Sequence, residues 1–282
     1  MRLQSSFLSI KTAAIRTQSI LQQFGFSPLA LLHSFAALPR YLCSYLEFRG
    51  QVEQVNRARI NHPSIYRMGC MYPVLTDYRQ SAGSNSGHYY HQDLYVAKKI
   101  FKSNPGVHLD IGSRIDGFIA HLLAFEQKVI LGDVRPVKDA DPNISCMQID
   151  LSHLPESRIK EQYSSISSLH VIEHVGLGRY GDKINPTGHI QAIRHLSLLL
   201  SQGGSLYISF PISCQSRIEF NAHRVISIAE AHSIFKEMNL AIREFAYVDD
   251  VGNLNRVSHI DSIDVLNSYH LQYGCGIWTL TR

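Results

Sequence analysis

No Cys-x-x-Cys pair occurs in this chain of 282 residues, and its five cysteines (43, 70, 146, 214 and 275) lie far apart. That spacing argues against a zinc site of cysteine alone and against a dense disulfide framework. It suits a reducing, cytoplasmic setting. No internal repeat or low-complexity tract is present. Nor is there an unbroken apolar run long enough to span a bilayer. Residues 26–48 come nearest, with Leu29, Leu31, Leu32, Phe35, Leu38, Leu42, Tyr45 and Leu46, but His33, Pro39 and Arg40 interrupt them. Residues 1–25 hold no acid, and no apolar stretch of signal-peptide type follows Arg2.

Charge is scarce where a nucleic-acid groove would need it. Residues 1–60 carry seven Lys/Arg against Glu47 and Glu53, a net +5, which leaves −1 for the other 222 residues. The basic balance therefore belongs to the prefix, and no nucleic-acid partner is expected for the main domain. Within the prefix, Leu3, Phe7, Ile10, Ala14 and Leu21 recur at helical spacing. A packing helix, a membrane-surface helix and an organelle transit peptide all fit that pattern. Two helices joined near Pro39 are expected over residues 26–48, and residues 1–48 are the segment that would bring the chain to a membrane surface. The division drawn is a basic helical extension, 1–60, and an α/β domain, 61–282.

The stretch Val107–Phe118, read as VHLDIGSRIDGF, orders the rest. A short apolar run turns on Gly112 into a helical apolar pattern, as at the opening of a doubly wound sheet that binds a ligand at its strands' carboxyl ends. Before it, GHYYHQDLYVAKKIF suits a helix with Leu94, Ala97, Lys98 and Phe101 along one stripe, stopped by Asn104-Pro105-Gly106. His88 and His91 lie three apart there, a spacing that more often serves packing or capping than metal ligation. After it, strands are expected at Lys128–Leu131, Ser145–Ile149, Ile166–Val171, Leu206–Phe210, Leu240–Val248 and Gly276–Leu280. A helix opened by Asn185-Pro186 should end at Gly203-Gly204, and Ser227 to Glu230 reads as a capping box for another. The first three strands end on Asp110, Asp133 and Asp150.

The alternation, with LDIGS, acids at 133 and 150, HVIEHV and SQGGSLYISF, resembles a class I S-adenosylmethionine-dependent methyltransferase. The longer strings GHYYHQDLYVAKKIF, HLDIGSRIDGF, SLHVIEHVGLGRYGD and FNAHRV resemble the domain of unknown function 268 family, whose members are suspected of roles around cell-surface polysaccharide synthesis. The first resemblance implies a Rossmann-like, mostly parallel sheet that binds S-adenosylmethionine. Asp110, Gly112, Ser113 and Arg114 would belong to its glycine motif, Asp133 would hold the ribose, and Asp150 would approach the adenine. The motif departs from the family's second and third glycines at Arg114 and Asp116. Arg114 suits the cofactor's carboxylate, while Asp116 can cap the next helix or pair with Arg114.

His170, Glu173 and His174 spell H-x-x-E-H. In inverted zinc proteases that motif sits on one helix, whereas here the first histidine ends a strand pattern. The string also resembles the E-x-x-E-H of some quinone-pathway O-methyltransferases, which implies a divalent metal ion on Glu173 and His174. Without metal, His170 or His174 suits a general base toward a substrate hydroxyl. Tyr180 and Asp182 on the glycine-rich loop, and Asn221, His223 and Arg224 after strand five, suit a small or glycan-like hydroxyl substrate. Two functions follow as expectations: a methyltransferase on such a hydroxyl, or a catalytically silent domain of the same fold in polysaccharide assembly.

Overall fold

The computed structural model describes residues 21–58, 67–77, 81, 83–136, 141–155, 157, 160–260, 264–265 and 267–282. The reading of residues 1–20 lies outside them. The chain forms two compact units, 1–84 and 85–282. The second unit thus begins at Asn85 and not at 61. Residues 67–75 carry neither helix nor strand, whereas Gly87 already donates its N–H to the Gly252 carbonyl at 3.0 Å.

In the first unit, helix α1 runs Pro28–Ala58. It continues through Pro39, so the expected break there is corrected. A mid-helix proline removes one backbone bond and kinks more often than it severs when good helix formers flank it. No described helix is long and apolar enough to cross a membrane.

The second unit is a doubly wound α/β fold. Helix α2 spans His88–Ser103 and is closed by Asn104 in the left-handed region at φ 44°. Strand β1, His108–Ile111, then leads into a wide helical turn at Ile115–Ile119 and the single turn α3, Ala120–Leu123. Strands β2 (Val129–Asp133), β3 (Ile144–Gln148) and β4 (Tyr163–Leu169) follow, then α4 (Gly188–Leu199) and β5 (Leu200–Ile212). A small hairpin of β6 (Arg217–Glu219) and β7 (His223–Val225) precedes α5 (Ile228–Glu237). The chain ends with β8 (Ala241–Val248), β9 (Leu254–Val257) and β10 (Gly274–Thr281).

The large sheet has the order β3-β2-β1-β4-β5-β10-β8-β9. β1 pairs in parallel with β2 and β4, β2 with β3, and β4 with β5, while β10 enters antiparallel between β5 and β8. The winding therefore reverses between β1 and β4, which is where open α/β sheets bind ligands.

Alternate strand residues feed two cores. On one face Leu109, Ile166, Ile208, Phe210 and Trp278 pack with Ile193 and Leu196 of α4 and Ile234 and Phe235 of α5. On the other, Leu131, Leu169, Tyr207 and Ile277 pack with Val96 and Ile100 of α2 and with Phe118 and Leu122. That is the period-two signature of a sheet covered on both sides.

Several local expectations shift. Asp93, Val96, Ala97 and Ile100 form the buried stripe of α2, while Phe101 is exposed. Gly203-Gly204 does not stop α4; the helix ends at Leu199 and the pair lies inside β5, where a Cβ on Gly204 would come within 3.1 Å of the Ser164 carbonyl. Asn185 sits ahead of α4, and its side chain accepts from both the backbone N–H and the hydroxyl of Thr187 at 3.0 Å. Ser227 caps α5, its Oγ accepting from the Glu230 N–H at 3.3 Å, but the reciprocal half of the box is absent: the Ser227 N–H donates to Ser216 Oγ at 2.8 Å, and the Ser216 hydroxyl donates to the Glu230 carboxylate.

Candidate functional site

A cavity of about 1090 Å³ opens at the carboxyl ends of β1, β2 and β4. Gly112, Ser113, Arg114, Asp133 and Asp150 line one part; His88, His170, Glu173, His174, Tyr180, Asp182, His223 and Tyr273 line the other. The two loops that flank the reversal touch. Gly112 has φ 86°, and a Cβ there would lie 2.7 Å from Val171 Cγ2. Glycine is required at that turn for both reasons.

Asp110 is fully buried and does not line the cavity. Its carboxylate accepts from the Ser113 N–H at 3.1 Å, from Ser113 Oγ at 2.9 Å and from the Ser167 hydroxyl. It therefore shapes the loop from beneath. Burial pushes its pKa up to about 6, against the pull of those hydrogen bonds. Behind it His108 sits between Ser167 and Ser165, each 2.8 Å from a ring nitrogen, and burial lowers its pKa to about 3.

Arg114 and Asp116 pair with each other at 2.6 and 2.9 Å, at the exposed lip. Asp116 caps no helix there, because the following turn is wide and kinked at Gly117. Asp133 is buried and lies at the end of β2 as expected, but it is already engaged. Arg135 donates to its Oδ1 through the backbone N–H at 2.8 Å and Nε at 2.9 Å, and to Oδ2 through the guanidinium at 2.8 Å. The Arg135 guanidinium also lies 5.1 Å over the Tyr180 ring. Asp150 faces the cavity with Oδ1 accepting from the Ser152 N–H at 2.7 Å.

The H-x-x-E-H residues do not share a helical face. His170 follows β4 at φ 55°, a conformation uncommon for a side-chain-bearing residue and frequent at functional sites. Its ring is buried, with Nδ1 2.6 Å from Glu173 Oε1. Burial works against a charged His170 ring, but Cys275 and Glu173 beside it outweigh that and hold its pKa well above the usual value. Glu173 is itself 1% exposed, with Oε2 lacking a hydrogen-bond partner among the described residues. His174 Nδ1 lies 2.7 Å from the Ala222 carbonyl, which can only accept. Its Nδ1 thus carries the proton, and Nε2, 3.9 Å from Glu173 Oε1, is left as a lone pair. Burial lowers the His174 pKa.

The substrate-side residues divide. Tyr180 packs edge-on against His174 at 5.6 Å, and His223 approaches Tyr273 at 5.4 Å, both within the cavity wall. Asp182 also reaches the cavity, yet its carboxylate accepts from the N–H groups of Gly176 (2.7 Å), Tyr180 (3.2 Å) and Gly178 (3.3 Å) and so holds the loop. Asn221 is exposed on the β6–β7 turn, away from the cavity lining. Arg224 is 2% exposed and donates to the carbonyls of Glu173, Val175, Asn185 and Pro186 at 2.7–3.3 Å. It braces the loop after β4 instead of facing a substrate. An arginine after a strand reads the same in either role; only the path of the loop decides.

Sequence reasoning passed over Arg135, Gln92, Tyr273 and Cys275. Arg135 follows Asp133 by two residues, a spacing that could have flagged the pair. Nothing local marks the other three, which reach the cavity or its wall only because α2 and β10 lie beside β4 and β5.

Residues 138–245 match the family described as "Caenorhabditis protein of unknown function, DUF268". The matched stretch carries His170, Glu173, His174, Tyr180, Asp182, His223 and Arg224, the half of the site formed after β4 and β5. No curated protein matches. Solved structures with a similar fold include a S-adenosylmethionine-dependent methyltransferase from Clostridium acetobutylicum, at 12% identity over 68% of this chain and 91% of that one, TM-score 0.43. Another is the N-methyltransferase NodS from Bradyrhizobium japonicum, in complex with S-adenosyl-L-homocysteine, at 13% identity over 70% and 88%, TM-score 0.42. A third is a putative sarcosine dimethylglycine methyltransferase from Galdieria sulphuraria, at 13% identity over 68% and 85%, TM-score 0.46.

Proposed function

We propose that the chain is an S-adenosylmethionine-dependent methyltransferase whose acceptor is the hydroxyl of a small polar molecule such as a sugar. One observation carries this reading: the motif residues Gly112, Asp133 and Asp150 and the imidazoles of His170, His174 and His223 line the same cavity at the sheet's reversal point. The donor set accommodates the cofactor with one adjustment. Among the described residues Asp133 Oδ2 accepts from the Arg135 guanidinium alone, so a lone pair remains for one ribose hydroxyl. A second hydroxyl requires Arg135, 56% exposed, to swing aside.

Bound there, S-adenosylmethionine supplies an electrophilic methyl group. Asp133 and Asp150 orient its nucleoside, and Ser113, held by Asp110, sets the loop against it. His174 accepts the acceptor hydroxyl's proton at Nε2 while the Ala222 carbonyl keeps Nδ1–H in place. The cofactor, held by those residues, would supply its methyl group to that oxygen and leave as S-adenosylhomocysteine. Holding the two in line and excluding water is most of what such a transfer asks of a protein.

A second reading, a catalytically silent domain of this fold in polysaccharide assembly, is favoured by the Arg135 clamp on Asp133. Calorimetry with S-adenosylhomocysteine separates the two. Wild type should bind, and Asp133→Ala should weaken binding by roughly ten- to a hundredfold, the value of a hydrogen bond to a charged group. Arg135→Ala should leave binding intact or tighten it. A wild-type protein that shows neither heat nor a thermal shift at saturating ligand would end the enzyme reading.

A further inference from the structure

Beyond the methyl-transfer reading, and independent of it, lies a cluster that no sequence motif announces. His88 comes from the start of α2, His170 from the end of β4 and Cys275 from β10. One ligand atom from each lies within 4.8 Å of the others. The His88 and His170 rings stack at 5.3 Å with only 11° between their planes. We infer that His88, His170 and Cys275 form a site for a borderline-soft divalent cation of the zinc type, open to the cavity at its fourth position.

Four observations support this. First, His170 Nε2 is buried, with the side chain only 6% exposed, and apart from the Cys275 thiol it has no hydrogen-bond partner among the described residues. A buried imidazole and thiol facing each other are stabilised when a cation takes the place of the proton they share. Second, the other nitrogen of that ring is fixed by buried Glu173 at 2.6 Å. A carboxylate on the far nitrogen is the usual way a protein orients a metal-ligating histidine and raises its basicity. Third, Cys275 is fully buried, and its thiol faces the His170 ring, with Gln92 Oε1 at 3.8 Å and the Gly276 carbonyl at 3.6 Å as further, weak contacts. Fourth, the donor set of two imidazoles and one thiol suits zinc, and three protein ligands with one open position is the pattern of catalytic zinc sites.

The geometry also says which member must move. Zinc–ligand bonds of about 2.0–2.3 Å draw donors closer than the present spacing, by a shift on the order of an ångström. His88, half-buried at the cavity wall, is the member that shifts, giving up its hydrogen bond with the Tyr273 backbone for the metal. His91, three residues on, is not part of the cluster. Glu173 serves behind His170, so the metal lies displaced from the Glu173–His174 pair expected of the motif.

Cobalt(II) is the probe that reads this arrangement, because only a thiolate ligand produces charge-transfer absorption in the near ultraviolet. The full chain, with exposed Cys43 and Cys70 replaced by serine, is stripped with chelator and titrated with cobalt(II). The expected result is that charge-transfer band together with visible bands of tetrahedral intensity, saturating at a single equivalent and displaced by zinc. Cys275→Ser should abolish the charge-transfer band. His88→Gln, at the cavity wall, should keep the fold by circular dichroism and melting, and weaken cobalt binding at least tenfold. The assignment is overturned if folded wild type gives no such band, if the band survives Cys275→Ser, or if His88→Gln binds cobalt as wild type does. Should Cys275→Ser not fold, the His88→Gln comparison alone decides.

Discussion

Replacing Asp110 by asparagine should make the protein more stable at neutral pH, although it removes a residue of the most recognisable motif. Asp110 is fully buried, and its pKa rises from 3.8 to about 6. Below pH 3.8 the carboxyl is protonated in folded and unfolded chains alike. Between 3.8 and 6 the unfolded chain releases the proton first, so stability falls as pH rises; above 6 the full cost is present. About two units at 1.36 kcal/mol each give roughly 3 kcal/mol.

Asparagine is nearly isosteric and keeps the network. The chain now runs from Ser165 through His108 and Ser167 to Asp110, and it can reverse when an amide N–H replaces the acceptor oxygen, because serine and histidine both donate and accept. Asp110→Asn should therefore match wild type near pH 4 and exceed it by about 3 kcal/mol above pH 6, or about 6–12 °C in melting temperature for a domain of this size. The assay is denaturant or thermal unfolding of both proteins from pH 4 to 8, read as a difference. Subtraction matters because His88 and His189, with pKa values depressed by burial and outside the Asp110 chain, add their own loss of stability as pH falls below 6.5 in both proteins. A variant less stable than wild type at pH 7, or a difference that does not change with pH, would refute the argument.

Two further outcomes follow. Arg224→Met should destabilise the second unit by on the order of 3 kcal/mol, since it strands buried carbonyls, and amide exchange should rise first over residues 174–187, the loop it braces. The full chain should co-sediment with anionic vesicles at low salt and release as salt rises, with about 1 kcal/mol from each basic residue near the surface; a chain starting at residue 61 should stay in solution, and vesicle binding by that shorter chain would contradict a role for the basic prefix.

Periodicity and punctuation determined the alternation of strands and helices from α2 onward, but not the small hairpin of β6 and β7 or β9. The apolar run before Gly112, the stop at Asn104-Pro105-Gly106 and the N-cap at Ser227 each act within a few residues, and each stands where the spacing places it. Local sequence could not determine which polar groups are spent on holding the fold. Asp110, Asp182 and Arg224 are the residue types a site would use, yet each is consumed by backbone or neighbouring side chains. Nor could it bring Cys275 to His170, 105 positions apart. That meeting depends on β10 inserting antiparallel beside β5, an outcome of sheet order and two-sided burial over the whole unit. Secondary structure answers to forces a few residues long; a site answers to where the sheet places the ends of its strands.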